Sequence, residues 1–194
     1  KKVISDIRSL TQKGQETKMK KSSLPCFVST GLFNGSNGHS ISEFIEDSYT
    51  GVLTLDLDKV EGEPLLNELF EKMKAIDYTL AVFRSPSGNG LKILVKADSK
   101  YEHHKIAYEQ VKVYYEKRIE SPLDKTSNVN RLCYLSYDPD LYFNSDAKIY
   151  DLKPVMKIND RIAFTEKHSR FQKGNRNNFI FLLACNLNRF GYPQ

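Results

Sequence analysis

An apolar stretch ends in two acidic residues at Leu53-Thr54-Leu55-Asp56-Leu57-Asp58. The alternating leucines predict a β-strand, and residues i and i+2 of a strand point to the same face. We therefore expect the carboxylates of Asp56 and Asp58 to project side by side. Neighbouring like charges repel, and Mg²⁺ or Mn²⁺ would stabilise them, because both cations prefer carboxylate oxygens. A strand that simply ends in a solvent-exposed turn would produce the same pattern.

A glycine- and serine-rich turn joins the next two predicted strands at Ser85-Pro86-Ser87-Gly88-Asn89-Gly90. Glycines let the backbone approach a ligand closely, and consecutive N–H groups can bind an anion. The serine hydroxyls add donors, and the lysine that follows the turn carries a charge suited to phosphate. An ordinary hairpin loop has the same composition. The candidate nucleotide- or phosphate-binding residues of this segment are Ser85, Ser87, Gly88, Asn89, Gly90 and Lys92.

Two more charged residues follow later in the chain. Asp124 comes after a long predicted helix, and Arg131 opens another predicted strand. Taken singly, each is most often a surface residue. Two-metal phosphoryl transfer, however, needs about three acidic ligands, a phosphate-binding turn and basic groups for the charge of a triphosphate. The sequence therefore offers Asp56, Asp58 and Asp124 as candidate catalytic residues and metal ligands, with Arg131 as another phosphate-binding residue. We expect the three carboxylates to converge within a few Å, the reach of metal coordination.

The order of elements around these motifs predicts an α+β domain with a mostly antiparallel central sheet. The predicted strands are 25–33, 52–57, 78–84, 91–96 and 131–136, and the predicted helices are 40–49, 64–76, 98 or 99 to 119 and 175–190, with a turn at 34–38. We predict three segments: a basic lead-in at 1–23 that contains a short helix, a catalytic domain at 24–155, and a connector with the beginning of a helical domain at 156–194.

Composition narrows the class of protein. The 194 residues carry a net charge of +5, which is compatible with a polyanionic partner. Three widely spaced cysteines without a CxxC pair support neither a disulfide framework nor a zinc site. No apolar run has the length of a membrane span, and the first residues lack the apolar region of a signal peptide. We expect a cytoplasmic segment of a longer chain, without a membrane partner.

The motifs resemble those of the archaeo-eukaryotic primase superfamily, the primase-polymerases, over roughly residues 25–150. The shared order is an acidic pair at Asp56 and Asp58, a small-residue turn followed by a basic residue at Lys92, and a third acid at Asp124. The closer resemblance is to the bacterial branch with VirE N-terminal domains. The superfamily turn commonly ends in a histidine, where this chain has Lys92. Lysine binds phosphate as a point charge, without the two tautomers of imidazole.

The resemblance implies a primase-polymerase fold, in which an RRM-like catalytic sheet packs against a second α/β unit and a helical domain begins after it. It implies a nucleotidyltransferase that uses Mg²⁺ or Mn²⁺ to add nucleotides on a single-stranded DNA or RNA template. The partners would be nucleoside triphosphates, the template and a helicase-like domain in the full-length protein. Such proteins serve DNA replication in mobile elements or phage.

Two other functions account for the same residues. The chain could be a non-catalytic module for nucleic-acid binding or replication initiation that is built on the same fold. A metal-dependent nuclease could also use three acids in this arrangement. Retention of all three acids favours catalysis over a binding module, and a binding test with Mn²⁺ and a nucleoside triphosphate would discriminate between them.

Overall fold

The computed structural model describes residues 1–15, 17–34, 40–153 and 158–189. The chain divides into two compact units, Lys1–Asp151 and Leu152–Gln194. It is a mixed α/β protein with mainly antiparallel sheets. The helices are α1 (Lys2–Gln12), α2 (Lys18–Ser22), α3 (Glu63–Lys74), α4 (His104–Ile119), α5 (Ile158–His168) and α6 (Arg176–Arg189). The strands are β1 (Cys26–Phe27), β2 (Val52–Leu57), β3 (Thr79–Arg84), β4 (Leu91–Asp98), β5 (Cys133–Tyr134), β6 (Tyr142–Phe143) and β7 (Tyr150–Asp151).

The larger sheet has the strand order β2-β4-β3-β6, and β7 pairs in parallel with the end of β4. Both β2 and β3 run antiparallel to β4, so they are parallel to each other and α3 connects them. This is a split β-α-β arrangement. A second, two-stranded sheet pairs β1 with β5.

The two faces of the larger sheet differ in chemistry. Along β4 the alternate residues Leu91, Ile93, Val95 and Ala97 are buried. They lie on the face that packs against α3 and α4, where the Tyr115 hydroxyl of α4 is 2.7 Å from that of Thr79 in β3. Since side chains alternate along a strand, Lys92 lies on the opposite face, and its register partner on β2 is Asp56. The pairing therefore places an acid and a base side by side on the face away from the helices.

Several predicted elements are shorter in the structure. The predicted strands at 25–33 and 131–136 are reduced to two residues each, β1 and β5, which pair with each other. Phe33 at the end of the first segment forms only an isolated bridge with Phe44. The predicted helix at 40–49 is two 3₁₀ turns, Ile41–Glu43 and Glu46–Ser48, because the chain is extended at Ile45 between them. The Ser48 hydroxyl donates to the Ile45 carbonyl at 2.6 Å, a local bond that competes with regular helix, and accepts from Leu32 N. The predicted turn at 34–38 lies mostly outside the described residues.

Other elements match closely. The predicted helices 64–76 and 175–190 are α3 and α6, and the predicted strands 52–57, 78–84 and 91–96 are β2, β3 and β4. The predicted lead-in helix is α1, which buries Ile4 and Ile7 within the first unit. The structure adds α2, α5, β6 and β7, which the sequence did not predict. The three-segment division of the chain stays a prediction.

The second unit is a pair of helices, α5 and α6. Phe179 and Thr165 are buried within it, and the Asn186 side chain donates to the Thr165 hydroxyl at 3.0 Å. Within the ranges described, none of the helices has both the length and the apolar composition that crossing a bilayer requires.

Candidate active site

Three carboxylates meet at the end of β2. Asp56 is the last polar residue of the strand and is 3% exposed, and Asp58 follows one residue after the strand ends. The segment after α4 returns to this point, where Asp124 N donates to the Asp56 carbonyl at 2.9 Å. One oxygen from each of the three side chains lies within 4.8 Å of the other two. The convergence predicted from the sequence is therefore present in the structure.

Two cations lie against Asp56. The Lys92 ammonium forms an ion pair with Asp56 Oδ1, without the alignment of a hydrogen bond. Arg131 Nη2 donates to Asp56 Oδ2 and, at 2.6 Å, to Asp124 Oδ2. Its Nη1 donates to the Thr126 carbonyl at 2.7 Å, which holds the guanidinium plane in place. The cluster therefore contains three acids and two bases, and most of its side chains are largely buried.

The pKa shifts of the two outer acids have opposite signs. Burial, then the charge of Asp56, raises the pKa of Asp58 above its usual range. Burial, the largest single influence, would raise the pKa of Asp124 as well, but the hydrogen bonds from Arg131, Thr126 and Lys125 and the charge of Arg131 together outweigh it, and the net pKa is lowered. Of these two acids, Asp58 is the one whose ionised form an added cation would stabilise more.

The turn at 85–90 is fixed to the acidic cluster by backbone contacts. Ser85 N donates to the Gly90 carbonyl at 2.8 Å, and Val60 N donates to the Asn89 carbonyl at 2.8 Å. A Cβ on Gly90 would lie 2.4 Å from the Leu57 carbonyl oxygen, so only glycine permits this approach. The turn and the strand that carries Asp56 are in direct backbone contact.

The predicted site residues divide into three groups. Five of them form the cluster: Asp56, Asp58, Lys92, Asp124 and Arg131. Ser85 is buried and Gly90 packs on β2, so both shape the turn. Ser87, Gly88 and Asn89 are half-buried and line a cavity beside α1. The assigned roles in metal and nucleotide binding stay predictions.

Two residues of α4 support the cluster and were not predicted as site residues. The Tyr108 hydroxyl donates to the Asp124 carbonyl at 2.9 Å. One turn earlier, buried His104 has Nδ1 3.0 Å from the Tyr49 hydroxyl and also hydrogen-bonds backbone at Ser127 and Asn128. Their spacing of four along a helix is typical of core residues, and nothing in the sequence pairs them with the segment that holds Arg131.

His104 makes stability depend on pH. Burial lowers the pKa of His104 from 6.5 to about 4. Between these two pH values the side chain is protonated in the unfolded chain but mostly neutral in the folded chain, so acid favours unfolding. We expect the free energy of unfolding to fall by about 2 kcal/mol between pH 7 and pH 5 through this residue. Urea unfolding at both pH values measures the effect.

The control for this pH dependence is the neighbouring exposed histidine. His104→Gln should remove most of the loss between pH 7 and pH 5, whereas His103→Gln should retain it, because His103 is exposed. Equal pH dependence in His104→Gln and wild type would contradict the assignment.

The donor set suits a hard divalent cation. Oxygens on opposite sides of one Mg²⁺ are about 4.2 Å apart, so atoms within 4.8 Å need only small side-chain rotations to share an ion. All three donors are carboxylates, and no thiol or imidazole belongs to the cluster. The described residues therefore fit Mg²⁺ or Mn²⁺ better than a softer metal.

The fold and site define a mixed α/β domain that gathers three acids and two bases at the end of one strand. The chain belongs to the family described as BT4734-like, N-terminal domain, whose model matches residues 19–143, and this family lies in the primase-polymerase and VirE-like group. The match includes all five cluster residues and leaves out α1 and the second unit. Comparison with curated proteins gave no match, and comparison with solved structures gave none either.

Proposed function

We propose that the chain is the nucleotidyltransferase domain of a primase-polymerase, which adds nucleotides to a strand on a single-stranded template. The observation that carries the proposal is the convergence of Asp56, Asp58 and Asp124 beside Lys92 and Arg131. Three acids with two bases supply ligands for divalent cations and positive charge for a triphosphate. The family match supports the same reading.

Each cluster residue has a distinct role in this proposal. Asp56, Asp58 and Asp124 would hold Mg²⁺ or Mn²⁺, which supplies Lewis-acid activation of a 3′-hydroxyl and charge stabilisation of pyrophosphate. Arg131 orients Asp56 and Asp124 through its fork of donors. Lys92 forms an ion pair with Asp56. It follows the turn by two residues, and in this proposal its charge would bind phosphate.

Primer extension on a single-stranded template tests the proposal. We expect Mn²⁺- or Mg²⁺-dependent extension by the wild type and a loss of at least about 100-fold in Asp58→Asn, because removing one charge from the ligand set weakens metal binding. The raised pKa of Asp58 means that its charge destabilises the folded state near neutral pH. In EDTA, the unfolding midpoint of Asp58→Asn should therefore equal or exceed that of wild type.

The matched control is Asp146→Asn. Asp146 is exposed. It lies close to Asn144, whose N donates to the Leu80 carbonyl near the start of β3, and this end of β3 is opposite to the 85–90 turn. We expect Asp146→Asn to extend primers as the wild type does. Absence of metal-dependent extension by the wild type, within the full-length protein, would contradict the proposed activity.

One observation favours a non-catalytic nucleic-acid-binding module as the second candidate. Both bases of the cluster pair with Asp56, so this acid neutralises two partly buried cations in the fold. That structural role would account for Asp56 in a protein without catalytic activity. A binding module predicts affinity for single-stranded nucleic acid that Asp58→Asn leaves unchanged. It also predicts no joint stabilisation by Mn²⁺ and a nucleoside triphosphate in a thermal shift experiment.

A further inference from the structure

The positive charge of the chain is concentrated in its first segment. Residues 1–23 contain seven lysines and arginines against two acids, so their net charge of +5 equals that of the whole chain. Residues 24–194 are therefore neutral overall. Among the described residues, Lys1, Lys2 and Lys13 form no ion pair, and the one pair within the segment joins Lys20 to Asp6. A charge of this size and position favours a polyanionic partner.

Helix α1 divides its residues between the core and the surface. Ile4 and Ile7 are buried, whereas Lys2, Ser9 and Lys13 are exposed. Lys2 and Lys13 are eleven residues apart, close to three full turns, so both lie on the side away from the isoleucines, about 16 Å apart along the axis. The exposed face of α1 therefore presents two ammonium groups in line, at a distance that a chain of phosphates can span.

An exposed aromatic ring lies beside this face. Tyr137 is 41% exposed and lines a cavity of about 590 Å³, whose other lining residues all belong to Lys1 and α1. The Lys1 ammonium is 4.5 Å from the centre of the ring. The lining also includes Ser5, Ser9 and Gln12, and none of its described residues is an acid. The cavity thus combines positive charge, hydrogen-bonding side chains and an aromatic ring.

Arg8 holds this tyrosine against α1. Its Nη2 donates to the Tyr137 carbonyl at 2.8 Å and lies 3.5 Å from the Ser136 hydroxyl. The Arg8 guanidinium is therefore used within the fold, where it sets the distance between the helix and the ring. The lysines and the tyrosine side chain remain as the groups that a ligand can contact.

The chemistry of this surface matches single-stranded nucleic acid. Ammonium groups bind backbone phosphates, and an exposed aromatic ring stacks on an unpaired base. An anionic membrane would also attract lysines, but a helix in a membrane interface inserts its apolar face, and here Ile4 and Ile7 are buried in the fold. In a duplex the bases stack on one another, which would leave Tyr137 without a partner.

We propose that α1 and Tyr137 form a binding surface for single-stranded nucleic acid. The inference rests on the proposed function only in calling this strand the template. Thr11 and Gln12 of α1 line a second cavity together with residues 87–89, so the surface lies next to the turn that contacts the end of β2. The family match begins at residue 19, so the matched domain does not contain the lysines of α1.

Fluorescence anisotropy of a labelled oligothymidylate of about 20 nucleotides, longer than the usual site size, tests the proposal on the whole chain. EDTA is present throughout and removes metal-dependent binding at the acidic cluster. We expect the double variant Lys2→Gln/Lys13→Gln to bind at least about tenfold more weakly. Each phosphate contact contributes about 0.7 to the slope of log affinity against log salt, so this slope should become shallower by about 1.4.

Tyr137→Ala should have a different effect on the same measurement. We expect at least about fivefold weaker binding, because stacking of one base is lost. The salt slope should stay at the wild-type value, since stacking releases no counterions. A change of affinity without a change of slope therefore separates the contribution of the ring from that of the lysines.

The matched control is Lys105→Gln/Lys117→Gln, which removes the same charge from two exposed positions of α4, twelve residues apart. This control should bind the oligonucleotide as the wild type does. No binding by the wild type, or equal weakening in the two double variants, would overturn the surface. Equal competition by polyglutamate and by unlabelled oligothymidylate would overturn it as well, because attraction of charge alone would then account for binding.

The binding surface and the proposed activity can fail separately. Wild-type binding by the lysine and tyrosine variants would overturn the surface even if the wild type extends primers. Conversely, weaker binding by both variants would support the surface even if no extension is observed. If the bound strand is the template, both variants should also need a higher template concentration for half-maximal extension.

Discussion

Asp56→Ala is expected to abolish metal-dependent extension and to lower the free energy of unfolding by about 3 kcal/mol. Asp56 is 3% exposed and pairs with Lys92 and Arg131, whose side chains are 11% and 12% exposed. Removing the acid leaves two poorly hydrated cations without their common partner. The cost lies at the low end of the range for broken buried pairs, because Arg131 keeps Asp124 at 2.6 Å.

Chemical unfolding of the single and double variants separates stability from function. Adding Lys92→Met to Asp56→Ala removes the unpaired ammonium, so we expect the double variant to regain most of the lost stability. Extension should stay absent in the double variant, because a proposed metal ligand is still missing. If Asp56→Ala alone unfolds like wild type, Asp56 does not hold the two cations in the way the structure shows.

Gly90→Ala is expected to lower the free energy of unfolding by about 2–3 kcal/mol and to abolish extension. The new Cβ would lie 2.4 Å from the Leu57 carbonyl oxygen and 3.3 Å from Asp58 Cα. Both are backbone atoms, so no side chain can rotate away to make room. The turn must separate from the end of β2, and the movement displaces Asp58 from the other acids.

Gly14→Ala provides the control for the glycine substitution. Gly14 has φ +66°, and a Cβ there would contact nothing within 4 Å. Backbone strain alone should cost about 1 kcal/mol and leave extension intact. Thermal or urea unfolding of both variants, with extension measured below their midpoints, compares the two effects. Full activity in Gly90→Ala would show that the turn and the acids do not depend on each other.

The residues around the acidic pair were predictable because their signals are local. Alternation predicts β2, and apolar spacing over two turns predicts α3, which the structure confirms at Glu63–Lys74. The turn at 85–90 follows from its glycines. By contrast, β6 and β7 have two residues each, and their pairing with β3 and β4 comes from the tertiary fold.

The partners of the site could be predicted only in part. The three acids follow from chemistry and motif order, but the pairing of Lys92 with Asp56 depends on a register between strands that α3 separates. No local rule sets such a non-local register.

The link between Arg131 and Asp56 has a consequence for folding order. These residues are 75 positions apart, whereas Arg131 and Asp124 are only seven apart. Closing the longer loop costs more chain entropy, so the base and the third acid can come together before either reaches β2. We therefore expect the proposed metal site to form late in refolding, after the sheet signal. In a nascent chain, the proposed ligand set would be complete only when synthesis has passed Asp124, and Arg131, which orients two of the ligands, follows seven residues later.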